Sequence, residues 1–208
     1  VHHDDFNFEP IRGLPAALPA DEHILWQGAP NAWRLAREAY ALDWIFAYFA
    51  VIIVWRVGAS STLVPFPEAL THAIPFLMIA AIATGIIYGL AYIQARSTVY
   101  TLTNKRVTLR IGAALEMTLN VPYVKIGNAT CVIRKNGVGT VAFETIGDDR
   151  ISYLMTWPHV RPWYFRTQPA LRCIPDAAKV AEIFAEAAQA RVSQPRSKRA
   201  TGAPIAAE

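Results

Sequence analysis

Ala73-Ile-Pro-Phe-Leu-Met-Ile-Ala-Ala-Ile-Ala-Thr-Gly-Ile-Ile-Tyr-Gly-Leu-Ala-Tyr-Ile93 contains no charged side chain, and this stretch decides the class of the protein. At a rise of ~1.5 Å per residue its twenty-one residues form a helix of roughly 32 Å, enough for a ~30 Å hydrocarbon core. Tyr88 and Tyr92 lie toward its later end, where aromatic rings favour the membrane–water interface. Pro75 falls in the first turn, which tolerates a missing N–H. The pattern predicts a transmembrane helix.

A second apolar stretch precedes it. Asp43 and Arg56 bracket Trp44-Ile-Phe-Ala-Tyr-Phe-Ala-Val-Ile-Ile-Val-Trp55, and a span from Tyr40 to Gly58 is long enough if Arg56 snorkels. The same stretch taken alone also suits a buried helix of a soluble core. Neither stretch has the basic leader and small-residue cleavage site of a signal peptide. The link Ala59–His72 carries no Lys or Arg, whereas Arg34, Arg37, Arg96, Lys105 and Arg106 flank the other side. The positive-inside rule then predicts a multi-pass inner-membrane protein with both termini cytoplasmic.

Composition and charge agree. Of 208 residues 53% are hydrophobic and 17% charged, below the ~25% of ordinary soluble domains, which excludes extensive disorder. Residues 1–95 carry four basic and eight acidic side chains, net −4; residues 96–208 carry sixteen and eight, net +8. Cys131 and Cys173 form no C-x-x-C pair, which excludes a zinc ribbon or thioredoxin-type motif. Two reduced thiols suit a cytoplasmic domain, and a single bridge would need an oxidising compartment.

From Arg96 the pattern switches to period two. Thr98–Thr103 and Arg106–Ile111 read as strands joined at Asn104-Lys105, followed by strands over Leu115–Val121, Ala129–Arg134, Thr140–Ile146, Arg150–Thr156 and Ala170–Ile174. Pro175-Asp176 opens a helix whose Val180, Ile183, Phe184 and Ala187 form one apolar stripe. The expected fold is α+β. A two-helix transmembrane hairpin (39–95, spans about 40–58 and 73–93) follows an N-terminal arm (1–38). It precedes a PH-like antiparallel β-sandwich or barrel (96–191) closed by a C-terminal amphipathic helix. The Pro- and Arg-rich tail, 192–208, is expected to be disordered.

Two motifs carry a resemblance. Asp21-Glu-His-Ile-Leu-Trp-Gln-Gly-Ala-Pro30 before the hairpin, and Tyr100-Thr-Leu-Thr-Asn-Lys-Arg-Val107 with Arg110 and Gly112 after it, resemble the bacterial membrane-anchored PH-like family. More narrowly, three further segments look like the photosynthetic-complex assembly family of purple bacteria, the PuhB type. They are His3-Asp-Asp-Phe-Asn-Phe-Glu-Pro-Ile-Arg-Gly-Leu-Pro15, Trp157-Pro-His-Val-Arg-Pro-Trp163 and Pro169-Ala-Leu-Arg-Cys-Ile-Pro-Asp-Ala-Ala178. The resemblance implies a non-enzymatic factor in the intracytoplasmic (chromatophore) membrane. It also implies contact with reaction-centre and light-harvesting 1 subunits, and self-association as a homodimer.

No Walker, Rossmann, zincin, nucleophile-elbow or EF-hand pattern is present, so no catalytic residue, metal ligand or cofactor is expected. His2-His3-Asp4-Asp5 is a polar terminus rather than a metal site, and Gly137-x-Gly139 is a hairpin turn. His72 reads as an interfacial histidine, with axial ligation of a bacteriochlorophyll as the alternative. Asp43 sits among headgroups or pairs with a partner's cation. Trp157, His159, Arg161, Trp163 and Arg166 lie in a proline-interrupted segment rich in interface residue types. That segment suits a partner contact, a structural cover over the sheet, or lipid contact. Arg96, Lys105, Arg106 and Arg110 are the candidate contacts to anionic lipid, the basis of an alternative function as a lipid-binding or envelope-sensing module. Nucleic acid is not an expected partner, since the basic residues adjoin a span and no nucleic-acid module appears.

Overall fold

The computed structural model describes residues 11–113, 116–147, 151–162, 164 and 166–193. Strand β1 (Ile24–Gly28) leads into helix α1 (Ala32–Glu38), where Asn31 caps the first turn by accepting a hydrogen bond from the Arg34 N–H at 3.0 Å. Ala41, at φ 56°, breaks the helical path in the left-handed region that costs an L residue about 1 kcal/mol. Helix α2 (Leu42–Ser61) follows, then short α3 (Phe66–Thr71) in the link, then α4 (Ile74–Ser97).

Among the described residues, helices α2 and α4 are the two long and apolar enough to cross a membrane. Their 20 and 24 residues span about 30 and 36 Å. Trp44, Val51, Val54 and Trp55 on α2, and Met78, Ile82 and Ile86 on α4, each leave well over half of their surface exposed. Soluble proteins rarely expose apolar area on that scale, and lipid would remove it from water. Long apolar helices therefore stand where spans were expected at about 40–58 and 73–93, each running about one turn further at its C-terminal end.

One residue, Thr98, separates α4 from strand β2 (Val99–Thr103). Strands β3 (Arg106–Ile111) and β4 (Met117–Pro122) continue an antiparallel sheet of order β1-β2-β3-β4. A 3-10 turn over Tyr123–Lys125 leads into β5 (Ile126–Ile133), β6 (Gly139–Thr145) and, after helix α5 (Tyr153–Thr156), β7 (Ala170–Ile174), an antiparallel sheet of order β5-β6-β7. Helix α6 (Ala177–Ser193) covers the core. Its Val180, Phe184 and Ala187 are buried and Ile183 packs beside them, with the Phe184 ring 4.9 Å from Phe143 and 5.4 Å from Tyr123. Burial of Leu102, Val107, Leu109, Val121, Val141 and Leu171 together with this stripe is the main hydrophobic contribution. The two sheets do not close into a barrel.

Three differences from the sequence expectation have physical causes. First, Ile24–Gly28, expected in the N-terminal arm, is the edge strand paired with β2, Trp26 opposite Leu102 and Gly28 opposite Tyr100. Second, the strand expected at Arg150–Thr156 is absent where described, because Tyr153–Thr156 forms a helical turn. Tyr153, Leu154 and Met155 are consecutive exposed apolar residues with no period-two alternation, and the Thr156 hydroxyl donates back to the Ser152 carbonyl at 2.7 Å. Third, Cys173 takes φ 53°, a bulge in β7 at which Gly139 pairs with Ile174 but Val141 with Leu171. The bulged carbonyl accepts from the Asn31 N–H at 2.8 Å, so β7 holds the start of α1. Arg150, Trp163, Leu115, the segment His3–Pro10 and the tail beyond Ser193 lie outside the described residues.

Candidate functional site

The pair of long apolar helices meets the sheets where the end of α4, the root of α2 and the segment after α5 converge. Leu35 and Ala36 of α1 are fully buried there, Leu35 against Ala95 and Cys173, Ala36 against Leu42 and Ala91. The small alanines of α4 let α1 approach closely.

His159 lies at the centre of this junction with no exposed surface. Its Nδ1 is 2.5 Å from the Tyr100 hydroxyl; its Nε2 is 3.1 Å from Thr98 Oγ1 and 3.2 Å from Gln94 Nε2. Tyr100 accepts from the Arg172 N–H at 3.3 Å, and Thr98 Oγ1 donates to the Gln94 carbonyl at 2.7 Å. At Nε2 the Thr98 oxygen suits a ring N–H whereas the Gln94 amide, a donor only, suits a bare nitrogen, so the direction of donation through the ring follows its tautomer. The imidazole is neutral. Burial, with the Arg172 charge second, pulls its pKa down to about 3, and burial raises that of Tyr100. A buried, neutral chain of this kind ties the last turn of α4 to the sheet. It latches structure and holds no proton ready for transfer.

Pro158 and Val160 beside His159 are buried, whereas Trp157, Arg161, Tyr164 and Arg166 are at or near the surface. Trp157, 38% exposed, packs edge-on against Tyr40 with ring centroids 5.0 Å apart, beside the root of α2. Arg161 bonds Gln168 Oε1 at 3.1 Å, and its guanidinium lies 4.4 Å over the Tyr164 ring. Arg166 donates to the Gly147 carbonyl at 2.9 Å. Trp163 is outside the described residues. Together with Tyr153, Leu154 and Met155, 49, 85 and 65% exposed, this forms an apolar and aromatic rim close to the hairpin root. The segment thus both seals the junction, through His159, and presents a face, through Trp157 and α5.

The four basic residues read as candidate lipid contacts do not form one patch. Arg106 is held by Glu22 through Nε at 2.8 Å and Nη2 at 3.0 Å, and Lys105 pairs with Asp21. Arg110 is 4% exposed and pairs with Glu116; Arg96 lies over the Tyr92 ring at 5.9 Å. Asp43 pairs with Arg37 of its own chain at 2.7 Å, and His72 Nδ1 is 2.7 Å from Ser60 Oγ across the link. Both cysteines are free thiols. Burial, then the Glu38 charge, pushes the Cys173 thiol up to about 12, and burial raises Cys131, so neither is a poised nucleophile. Among the described residues no three His, Cys, Asp or Glu side chains converge as metal ligands.

Tyr100, Thr98, Gln94 and Arg172 were not singled out by sequence reasoning. Each is an ordinary strand or helix residue there, and only the pairing of distant segments brings them to His159.

Two helices long and apolar enough to cross a membrane, continuous with a two-sheet, helix-covered domain, define a PH-like protein. Residues 41–188 match the family described as Bacterial PH domain, and the chain belongs to that family. Over 198 residues it is 44% identical to an uncharacterized 23.7 kDa protein in the puhA 5′ region of Rhodobacter capsulatus, covering 92% of this chain and 91% of that one. A DUF1696 family protein with a pleckstrin-homology domain from Shewanella loihica PV-4 is 14% identical over 44% of this chain and 71% of its own, with a TM-score of 0.29. That last likeness is too slight to carry an argument.

Proposed function

We propose that this protein is a non-enzymatic, membrane-anchored assembly factor for the photosynthetic reaction centre and its light-harvesting 1 ring, working through protein contacts. The observation that carries the reading is the near-full-length likeness to the Rhodobacter capsulatus protein of the puhA 5′ region, a photosynthesis-gene context. The hairpin would hold the PH-like domain at the cytoplasmic face of the intracytoplasmic membrane, with both termini on that side, as the flanking arginines favour. The rim formed by Trp157, Tyr153, Leu154 and Met155 is suited to a reaction-centre subunit, because large exposed apolar and aromatic groups beside a membrane root are the usual anchors of an interface. Self-association as a homodimer belongs to the same reading.

Deleting the gene tests it. Reaction-centre absorbance in isolated membranes should fall severalfold, with pigment synthesis intact and recovery on complementation. A normal reaction-centre level in the deletion strain would refute the role.

A further inference from the structure

A polar cleft of about 330 Å³ opens at the root of α2, between α1, the β5–β6 turn and the bulge of β7. Arg34, Arg37, Arg134 and Arg172 line it with only Glu38 and Asp43 in opposition, a surplus of two positive charges among the described residues. Both carboxylates are already engaged, Asp43 by Arg37 at 2.7 Å and Glu38 by Arg134 at 2.5 Å. A cation would therefore have to displace a guanidinium to reach either one.

Arg172 is the informative member. It is 4% exposed, its Nη1 donates to the Pro158 carbonyl at 3.2 Å, and its buried Nε has no hydrogen-bond partner. No carboxylate pairs with it among the described residues. A buried guanidinium without a counter-charge is costly to maintain, by several kcal/mol for an ion that remains uncompensated. Arg172 stands in the β7 bulge, next to the left-handed Cys173, and lines the cleft. Arg34 is oriented as well: the Asn136 amide, turned with its oxygen inward, accepts from Nε at 3.2 Å and Nη2 at 2.7 Å.

We propose that this cleft is a binding site for a phosphate-bearing anion, with the phosphodiester of an anionic phospholipid as its favoured source. Four guanidinium groups converging from three segments match the several oxygens of a phosphate, and the surplus charge matches its one to two negative charges. Asp43 lies in the first turn of α2, so the cleft sits at the depth where a membrane-crossing helix leaves the bilayer, whichever side that is. Basic pockets beside membrane helices are where lipid headgroups dock. The site is separate from the Lys105–Arg106 hairpin, whose cations are neutralised by Asp21 and Glu22. It does not rest on the assembly role.

The test uses the full chain in mild detergent, with retained lipid counted by native mass spectrometry during titration with phosphatidylglycerol, phosphatidylcholine or soluble glycerol phosphate. Phosphatidylglycerol should be retained in preference to phosphatidylcholine. Arg172→Met and Arg134→Gln should each weaken that retention at least about tenfold, the loss of one charge-assisted hydrogen bond. Arg134 is half-exposed in the β5–β6 turn, so its replacement, which also frees Glu38, should lower the melting temperature by a few degrees at most and leave the protein folded at the assay temperature. Its lipid loss then cannot be ascribed to misfolding. Competition by glycerol phosphate would support the anion site with a soluble source; lack of competition would support the lipid source. Unchanged phosphatidylglycerol affinity in both variants would overturn the proposal.

Discussion

The carboxylate of Glu22 grips the guanidinium of Arg106 through two hydrogen bonds, 2.8 and 3.0 Å, although they are 84 positions apart in the chain with both long apolar helices between them. The Glu22 side chain is 3% exposed, and its Oε1 also accepts from the Thr103 hydroxyl at 2.8 Å. One turn away Asn104 accepts from the His23 N–H at 3.1 Å and donates to the Asp21 carbonyl at 3.0 Å. The Asp-Glu-His segment before the hairpin and the Thr-Asn-Lys-Arg turn after it are therefore one structural unit, which closes the chain into a loop around the membrane helices.

That clamp predicts unequal losses. Arg106→Gln strands a buried carboxylate and should destabilise the domain by about 2–3 kcal/mol; Glu22→Gln, leaving a cation that is one-third exposed, should cost about 1–2 kcal/mol. The double variant should lose clearly less than both singles together, as a denaturation double-mutant cycle would show. Strict additivity would mean that the pair is not coupled.

His159 predicts an acid sensitivity. In the fold its imidazole stays neutral down to about pH 3, whereas in the unfolded chain it protonates near the ordinary 6.5. The unfolded state therefore binds the extra proton between those values, and stability falls as pH drops through 6.5 toward 3, by up to about 1.4 kcal/mol per pH unit. Between pH 6.5 and 5, the slope of unfolding free energy against pH should be shallower in His159→Asn than in the wild type. Equal slopes would show that the ring is not buried neutral.

Gly139 lets α6 sit on β6. A Cβ there would lie 2.6 Å from both the Val132 carbonyl oxygen and Ala177 Cβ. Gly139→Ala should cost about 1–3 kcal/mol in unfolding experiments. Gly85→Ala, with open space around the added carbon, should leave stability within about 0.5 kcal/mol.

Topology is testable by cysteine labelling of intact cells in a background with Cys131 and Cys173 replaced. Thr62 and Ser193 are exposed positions in the link and at the end of α6. A membrane-impermeant thiol reagent should reach Thr62→Cys and miss Ser193→Cys. The opposite pattern would invert the orientation.

The spans were legible because an uncharged run of that length has few other uses. Strands β2 and β3 were legible because their alternation and the two-residue turn are local signals. Strand β1 was not, since its partner lies across the hairpin and five residues carry little periodicity of their own. His159 was read among interface residues because Trp-Pro-His-Val-Arg-Pro-Trp has the composition of a contact loop. Its burial depends on Gln94, Thr98 and Tyr100, about 60 residues away in sequence. The arginine cleft was equally hidden: its four cations come from three chain segments and depend on a left-handed Cys173 that no side-chain pattern announces.

The assembly role is tested most directly by affinity capture of the full-length protein from photosynthetically grown cells, comparing the wild type with Leu154→Glu/Met155→Glu. Both residues are largely exposed, so the substitutions should leave membrane level and folding unchanged. Reaction-centre subunits should co-purify with the wild type and be reduced at least about tenfold with the variant, the loss expected for a single interface hot spot. Capture of no reaction-centre subunit by the wild-type protein, even after crosslinking in native membranes, would contradict the account.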